Sequence, residues 1–173
     1  IQSLMAIRQS RIKEGSWNDV EEKTHRINIS KIRKLAINKI DIFDNYVSKN
    51  KDILNRCFIF VLESTYGELL FNELTKYTMS IKNHFKDLDS DNLKLFSEEK
   101  VETIISCIAL SQGINILSLS KLVLFASNSQ LETTQRIGRT LRKNKKDPKK
   151  IATIVDFIDD SQIREKSGAD YER

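Results

Sequence analysis

Cys57-Phe58-Ile59-Phe60-Val61-Leu62 is an unbroken apolar run of strand length, bounded by Arg56 and Glu63. A strand with one face in water alternates apolar and polar residues, whereas a continuous run marks a strand covered on both faces. Downstream the texture alternates. Glu63-Ser64-Thr65 ends the run, and Tyr66 to Tyr77 reads as a helix with Leu69, Leu70 and Leu74 inward. Thr78 to Ile81 is expected as a short second strand, and Asp89 to Phe96 as a short helix with Leu93 and Phe96 as its apolar points. Val101–Cys107, Lys121–Ala126 and Ile151–Ile158 are expected as the third, fourth and fifth strands. Strands alternating with helices build a twisted parallel sheet, so the class is α/β. Ligands of such sheets bind at the carboxyl ends of the strands, and the informative residues are expected there.

Upstream the pattern is helical. Residues 2–14 carry a loose stripe through Leu4, Met5, Ile7 and Ile12, ended by Gly15. Ser16 followed by Asp19 resembles a capping box opening a second helix to about Arg26, with Trp17 as a packing anchor. A third helix is expected from near Ser30, its apolar stripe formed by Ile32, Leu35, Ala36, Ile40, Phe43 and Val47. Lys31, Lys34, Lys39 and Asp41 read as its solvated face. The expected division is a helical arm over 1–51, the main domain over 52–160 and a polar extension over 161–173.

The 173 residues are 39% hydrophobic and 31% charged, enough apolar surface for one core. No apolar run approaches the ~20 residues that cross a bilayer. A net charge of +5 leans mildly toward nucleic acid. Cys57 and Cys107 each fall in an apolar strand-like run, reading as small buried hydrophobes of a reducing, cytoplasmic compartment. His25 and His84 lie far apart, so no zinc spacing exists. The chain opens at Ile1 in mid-pattern and is read as a piece of a longer protein.

The chemistry concentrates in Gln135-Arg136-Ile137-Gly138-Arg139-Thr140-Leu141-Arg142. On a continuous helix Gln135, Arg139 and Arg142 stand at i, i+4 and i+7 and share one face. One amide and two guanidiniums suit a polyphosphate, since guanidinium is always charged and grips phosphate oxygens with paired donors. A bland basic helix gives no reason for Gly138, because a mid-helix glycine costs about 1 kcal/mol.

This octet resembles motif VI of superfamily-two helicases, Gln/His-Arg-x-Gly-Arg-x-x-Arg. Cys107 to Ile116, with Ser111, Gly113 and Asn115, resembles motif V of the same helicases. There a strand-end polar residue is followed six positions later by Gly-x-Asp. Asn115 replaces the usual ribose-binding Asp, and Cys107 replaces the usual backbone-contacting threonine. Ser64 and Thr65 occupy the motif IV position, although Ser or Thr at a strand-helix turn is also an ordinary N-cap. The resemblance covers roughly 52–160 and is to the second RecA-like domain, closest to the repair and restriction-enzyme motor branch.

That resemblance implies ATP and Mg2+ held mainly by a first RecA-like domain outside this chain, and DNA, with RNA as the alternative, as the nucleic-acid partner. Arg139 and Arg142 match the family's arginine fingers. Gln135, Gly113 and Asn115 match its nucleotide contacts. Ser64, Thr65, Cys107 and Ser111 match its nucleic-acid contacts, and Arg136 matches a brace at the domain interface. No Gly-Lys-Ser/Thr and no strand-end Asp-Glu occurs, so the phosphate-cradling loop and magnesium carboxylates are expected in that first domain. The basic loop Lys143–Lys150 reads as either a solvated turn or a phosphate-backbone contact. Two other readings stay open: a catalytically silent RecA-like docking module, and a flavodoxin-type nucleotide fold, for which Glu63-Ser64-Thr65-Tyr66 lacks the expected glycines.

Overall fold

The computed structural model describes residues 1–85, 90–107, 118–126, 130–140, 142, 150–158 and 160–166. The chain forms two compact units, Ile1–Ala36 and Ile37–Arg173. The first is a pair of helices, α1 (Gln2–Lys13) and α2 (Asp19–Lys34). The capping box that opens α2 is made by Asn18 and Glu21, not by Ser16 and Asp19: Glu21 N–H donates to Asn18 Oδ1, and Asn18 N–H to Glu21 Oε2. No glycine or proline lies between Arg26 and Lys34, so α2 runs to Lys34 rather than ending near Arg26. The stripe expected on one helix is therefore split, with Ile32 on α2 and Ile40, Phe43 and Val47 on the helix that follows. Glu22 ties the pair together, accepting from Arg8 at 2.7 Å, from Arg26 at 2.9 Å and from the Trp17 indole at 3.0 Å. Trp17 lies edge-on to His25 and beneath the Arg8 and Arg11 guanidiniums, so its ring is consumed by packing.

The second unit begins with α3 (Asn38–Lys49) and a 3-10 turn, Lys51–Leu54. There follow β1 (Cys57–Phe60), α4 (Ser64–Leu74), β2 (Ile81–His84), α5 (Ser90–Ser97), β3 (Thr103–Ser106), β4 (Lys121–Leu124), α6 (Gln130–Thr140), β5 (Thr153–Asp156) and α7 (Asp160–Glu165). The second strand starts at Ile81, three residues later than expected. Thr78 and Ser80 are taken up by a turn, in which Ser80 N–H donates to Thr78 Oγ1 and the Ser80 carbonyl accepts from Glu102 and Thr103. All five strands are parallel, in the order β2-β3-β1-β4-β5. Successive side chains of a strand point to opposite faces. On one face Phe58, Phe60, Ile104, Leu122 and Leu124 form a core with Leu93 and Phe96 of α5, and Ile137 of α6 packs against it. On the other, the Phe125 ring meets Phe43 of α3 and Tyr66 of α4 at 5.4 and 5.9 Å between centroids. Both faces are covered, as the apolar run of β1 requires.

Two residues fix local approach. A Cβ on Gly67 of α4 would stand 2.5 Å from the Phe85 ring, so glycine here is what lets the helix lie against the segment leaving β2. Arg56 adopts φ +54, and its guanidinium bonds the carbonyls of Val101 (2.8 Å) and Phe96 (2.6 Å) and the Ser118 hydroxyl while lying 4.2 Å over the Phe96 ring. That arrangement bolts α5 and the approaches to β3 and β4 onto the amino end of β1. No described helix is long and apolar enough to cross a membrane.

Candidate functional site

Because the strands are parallel, the segments that leave β1, β3 and β4 emerge at one end of the sheet. The chain leaves β1 for β2 at one edge, and leaves β4 for β5 at the other. Connections that depart in opposite directions open a crevice between adjacent strand ends, and in sheets of this kind ligands bind there. Here that crevice lies between the carboxyl ends of β1 and β4.

Ser64 and Thr65 stand at this end, in the first turn of α4. Neither is the cap expected of a strand-helix turn. The N-cap position is Glu63, which makes no side-chain capping bond, and the exposed Thr65 hydroxyl instead donates to Glu63 Oε1 at 3.3 Å. Cys107 directly follows β3. Its half-buried thiol donates to the Phe85 carbonyl at 3.7 Å, and burial pushes its pKa up, so it is held as a neutral thiol against its own domain. Ser111, Gly113 and Asn115 lie outside the described residues.

The octet straddles the end of α6. Gln135 and Gly138 are exposed, and the backbone of Arg139 lies one turn beyond Gln135 on the same helix. A Cβ on Gly138 would meet nothing within 4 Å. Arg136 points the other way. It is 6% exposed, its Nη1 donates to the Ala126 carbonyl at 3.0 Å, and its guanidinium lies 4.0 Å over the Phe60 ring. This brace joins α6 to the ends of β4 and β1 within the domain. The continuous face expected for Gln135, Arg139 and Arg142 is broken: Arg142 is exposed and non-helical, and its carbonyl accepts from Lys150 Nζ at 3.2 Å. Of the basic loop, 143–149 lie outside the described residues.

Lys39 belongs to the site although its place in the sequence gives little sign of it. Read as part of a solvated face, it is half-buried and donates from Nζ to the Phe125 carbonyl at 3.1 Å. Its only sequence signal is its place one turn before Phe43, at i and i+4 on an amphipathic helix. Among the described residues no cluster of three His, Cys, Asp or Glu side chains is arranged to hold a metal ion.

No family model matches the chain, and no curated protein does. Solved structures do. The C-terminal domain of S. cerevisiae Dbp5 bound to Gle1 and IP6 superposes with a TM-score of 0.57 at 18% identity, over 73% of this chain and 73% of that one. S. cerevisiae Dbp5 bound to RNA and ADP BeF3 gives 0.56 at 19% identity, over 73% of this chain but 34% of the longer one. The Pyrococcus furiosus Hef helicase domain gives 0.53 at 15% identity, over 94% of this chain and 37% of that one. The chain thus has the fold of a second RecA-like helicase domain and spans about a third of the longer helicase structures it matches.

Proposed function

We propose that this RecA-like chain is the second motor domain of an ATP-dependent nucleic-acid helicase or translocase, over roughly residues 52–160. The observation that carries the reading is α6. Arg136 fixes the helix on the strand ends, while Gln135 and an unobstructed Gly138 stay exposed on it. A glycine that its own domain does not require leaves room for another group to approach the helix backbone closely.

In this reading ATP and Mg2+ are held mainly by the first RecA-like domain. Hydrolysis of the terminal phosphate, with Mg2+ neutralising charge on the phosphates, supplies the free energy. Arg139 and Arg142 extend guanidiniums toward the transferred phosphate and stabilise the charge that develops there. Gln135 senses the same group by hydrogen bonding. Gly113 and Asn115 serve the nucleotide, and Ser64, Thr65, Cys107 and Ser111 line the nucleic-acid side. Closing the two domains on ATP and reopening them afterwards converts hydrolysis into movement along a strand. The Gln-Arg form of the octet favours DNA; the RNA held by Dbp5, a structural neighbour, favours RNA as the second reading.

The test is nucleic-acid-stimulated ATP hydrolysis by the full-length protein, with DNA and RNA supplied separately. Stimulated turnover is expected, and Arg139→Ala should lower it by roughly 10³-fold or more while leaving the fold intact. Near-normal turnover in Arg139→Ala refutes the finger. No turnover with any nucleic acid favours the silent docking module.

A further inference from the structure

Phe125 and Ala126 carry the chain out of β4 toward α6, and two cations hold their adjacent carbonyls. Arg136 reaches Ala126 from α6 at 3.0 Å, and Lys39 reaches Phe125 from α3 at 3.1 Å. They come from opposite faces of the sheet. The Arg136 guanidinium stacks on Phe60, which belongs to the core shared with α5, whereas Lys39 shares its helix with Phe43, whose ring meets the Phe125 ring edge-on at 5.4 Å. α3 therefore grips Phe125 twice, at the ring through Phe43 and at the carbonyl through Lys39. The Phe125 N–H is bound as well, donating to the Phe60 carbonyl at 2.9 Å. Both carbonyls of this strand exit and the Phe125 N–H are thus committed to fixing its path.

We infer that Lys39 is a positioning residue for the exposed face of α6, setting where Gln135 and the backbone of Arg139 stand by fixing the strand exit at Phe125 and Ala126 that leads to that helix. The inference rests on the motor reading for its effect on turnover, but not for its effect on the helix. An ammonium bonded to a half-buried carbonyl is a charge-assisted contact, stronger than a neutral one. Methionine at this position keeps most of the stem and its packing on α3 but has no donor. Arginine keeps a donor of similar reach. The comparison of the two separates the bond from the packing.

The experiment uses the full-length protein in three forms: unaltered, Lys39→Met and Lys39→Arg. ATP hydrolysis is measured at saturating nucleic acid, and amide hydrogen exchange is followed in parallel. In Lys39→Met, kcat should fall about tenfold with KM changed less than about twofold, because a misplaced catalytic surface costs rate more than binding. Exchange across Thr133–Ile137 should quicken about tenfold while β3 keeps its protection, as local opening does. Lys39→Arg should recover both readouts. The inference is overturned if exchange at α6 is unchanged in Lys39→Met, if β3 and α6 lose protection together, or if Lys39→Arg is as impaired as Lys39→Met. Should the unaltered protein hydrolyse no ATP, the motor reading fails, and exchange at α6 alone then decides whether Lys39 positions the helix.

Discussion

Gly138→Ala should stabilise the chain and damage the motor. Gly138 lies on α6 without the positive φ that an L side chain would resist, and a Cβ there meets nothing within 4 Å. Alanine is favoured over glycine inside a helix by about 1 kcal/mol, and the position two residues from the helix end reduces that to about 0.5–1 kcal/mol. In a chain of this size such a gain raises Tm by about 1–4 °C. Thermal unfolding followed by circular dichroism reads it directly. In the full-length protein the same methyl projects toward whatever approaches α6, so ATP turnover should fall by about tenfold or more, since small displacements of reacting groups are costly. An unchanged or lower Tm would refute the account of Gly138 as a glycine its own helix does not need. A raised Tm with undiminished turnover would refute the close approach.

Two further outcomes follow from the packing. Arg56→Met removes the donor from the Phe96 and Val101 carbonyls and should destabilise the sheet unit by about 2–4 kcal/mol, with Arg56→Lys recovering little because one ammonium cannot span three acceptors; denaturant unfolding measures both. The helix pair should loosen in acid. Hydrogen bonds from Arg8 first, then Arg26 and Trp17, hold the Glu22 carboxyl down to about 2 from its ordinary 4.5. A carboxyl depressed in the folded state contributes stability fully above its unfolded pKa and loses it as pH falls through the folded one. The window is therefore about 4.5 down to 2, and fluorescence of Trp17, the only tryptophan of the chain, reports it. The same acid response in Glu22→Gln would refute the assignment.

How legible this molecule was depends on what each feature needs from its surroundings. The strands were readable because burial on both faces demands apolar residues at every position, and Cys57 to Phe60 are all fully buried. Helix limits in the first unit were not, since Asn18 and Ser16 are both capable caps and only the reciprocal Glu21 bond decides between them. The arginine spacing of the octet was readable, but its geometry presumed a helix that carries through Arg142, and α6 stops at Thr140. Lys39 was invisible because its partner is a main-chain carbonyl 86 residues away, and carbonyls leave no mark in a sequence.

Among the described residues two glycines lie within helices of the sheet unit, and they separate the domain's own requirements from those of a partner. Gly67 is accounted for internally: Phe85 and Val61 occupy the space a side chain would take. Gly138 has no such account, nor does any backbone strain call for it. Arg136 and Cys107 also face inward, each bonded to a carbonyl of the same domain. Among the side chains described on α6, those left outside are Thr134, Gln135 and Gly138; Thr134 and Gln135 stand four and three residues before Gly138, which on a helix is one surface. A surface used only for protein docking buries side chains and is improved by a helix former at Gly138. A surface that must admit a phosphate or a facing backbone is spoiled by one. Gly138→Ala therefore discriminates between motor and docking module even before the identity of the nucleic acid is known: lost turnover in a more stable protein belongs to the first, and unaffected partner binding without any turnover in either form belongs to the second.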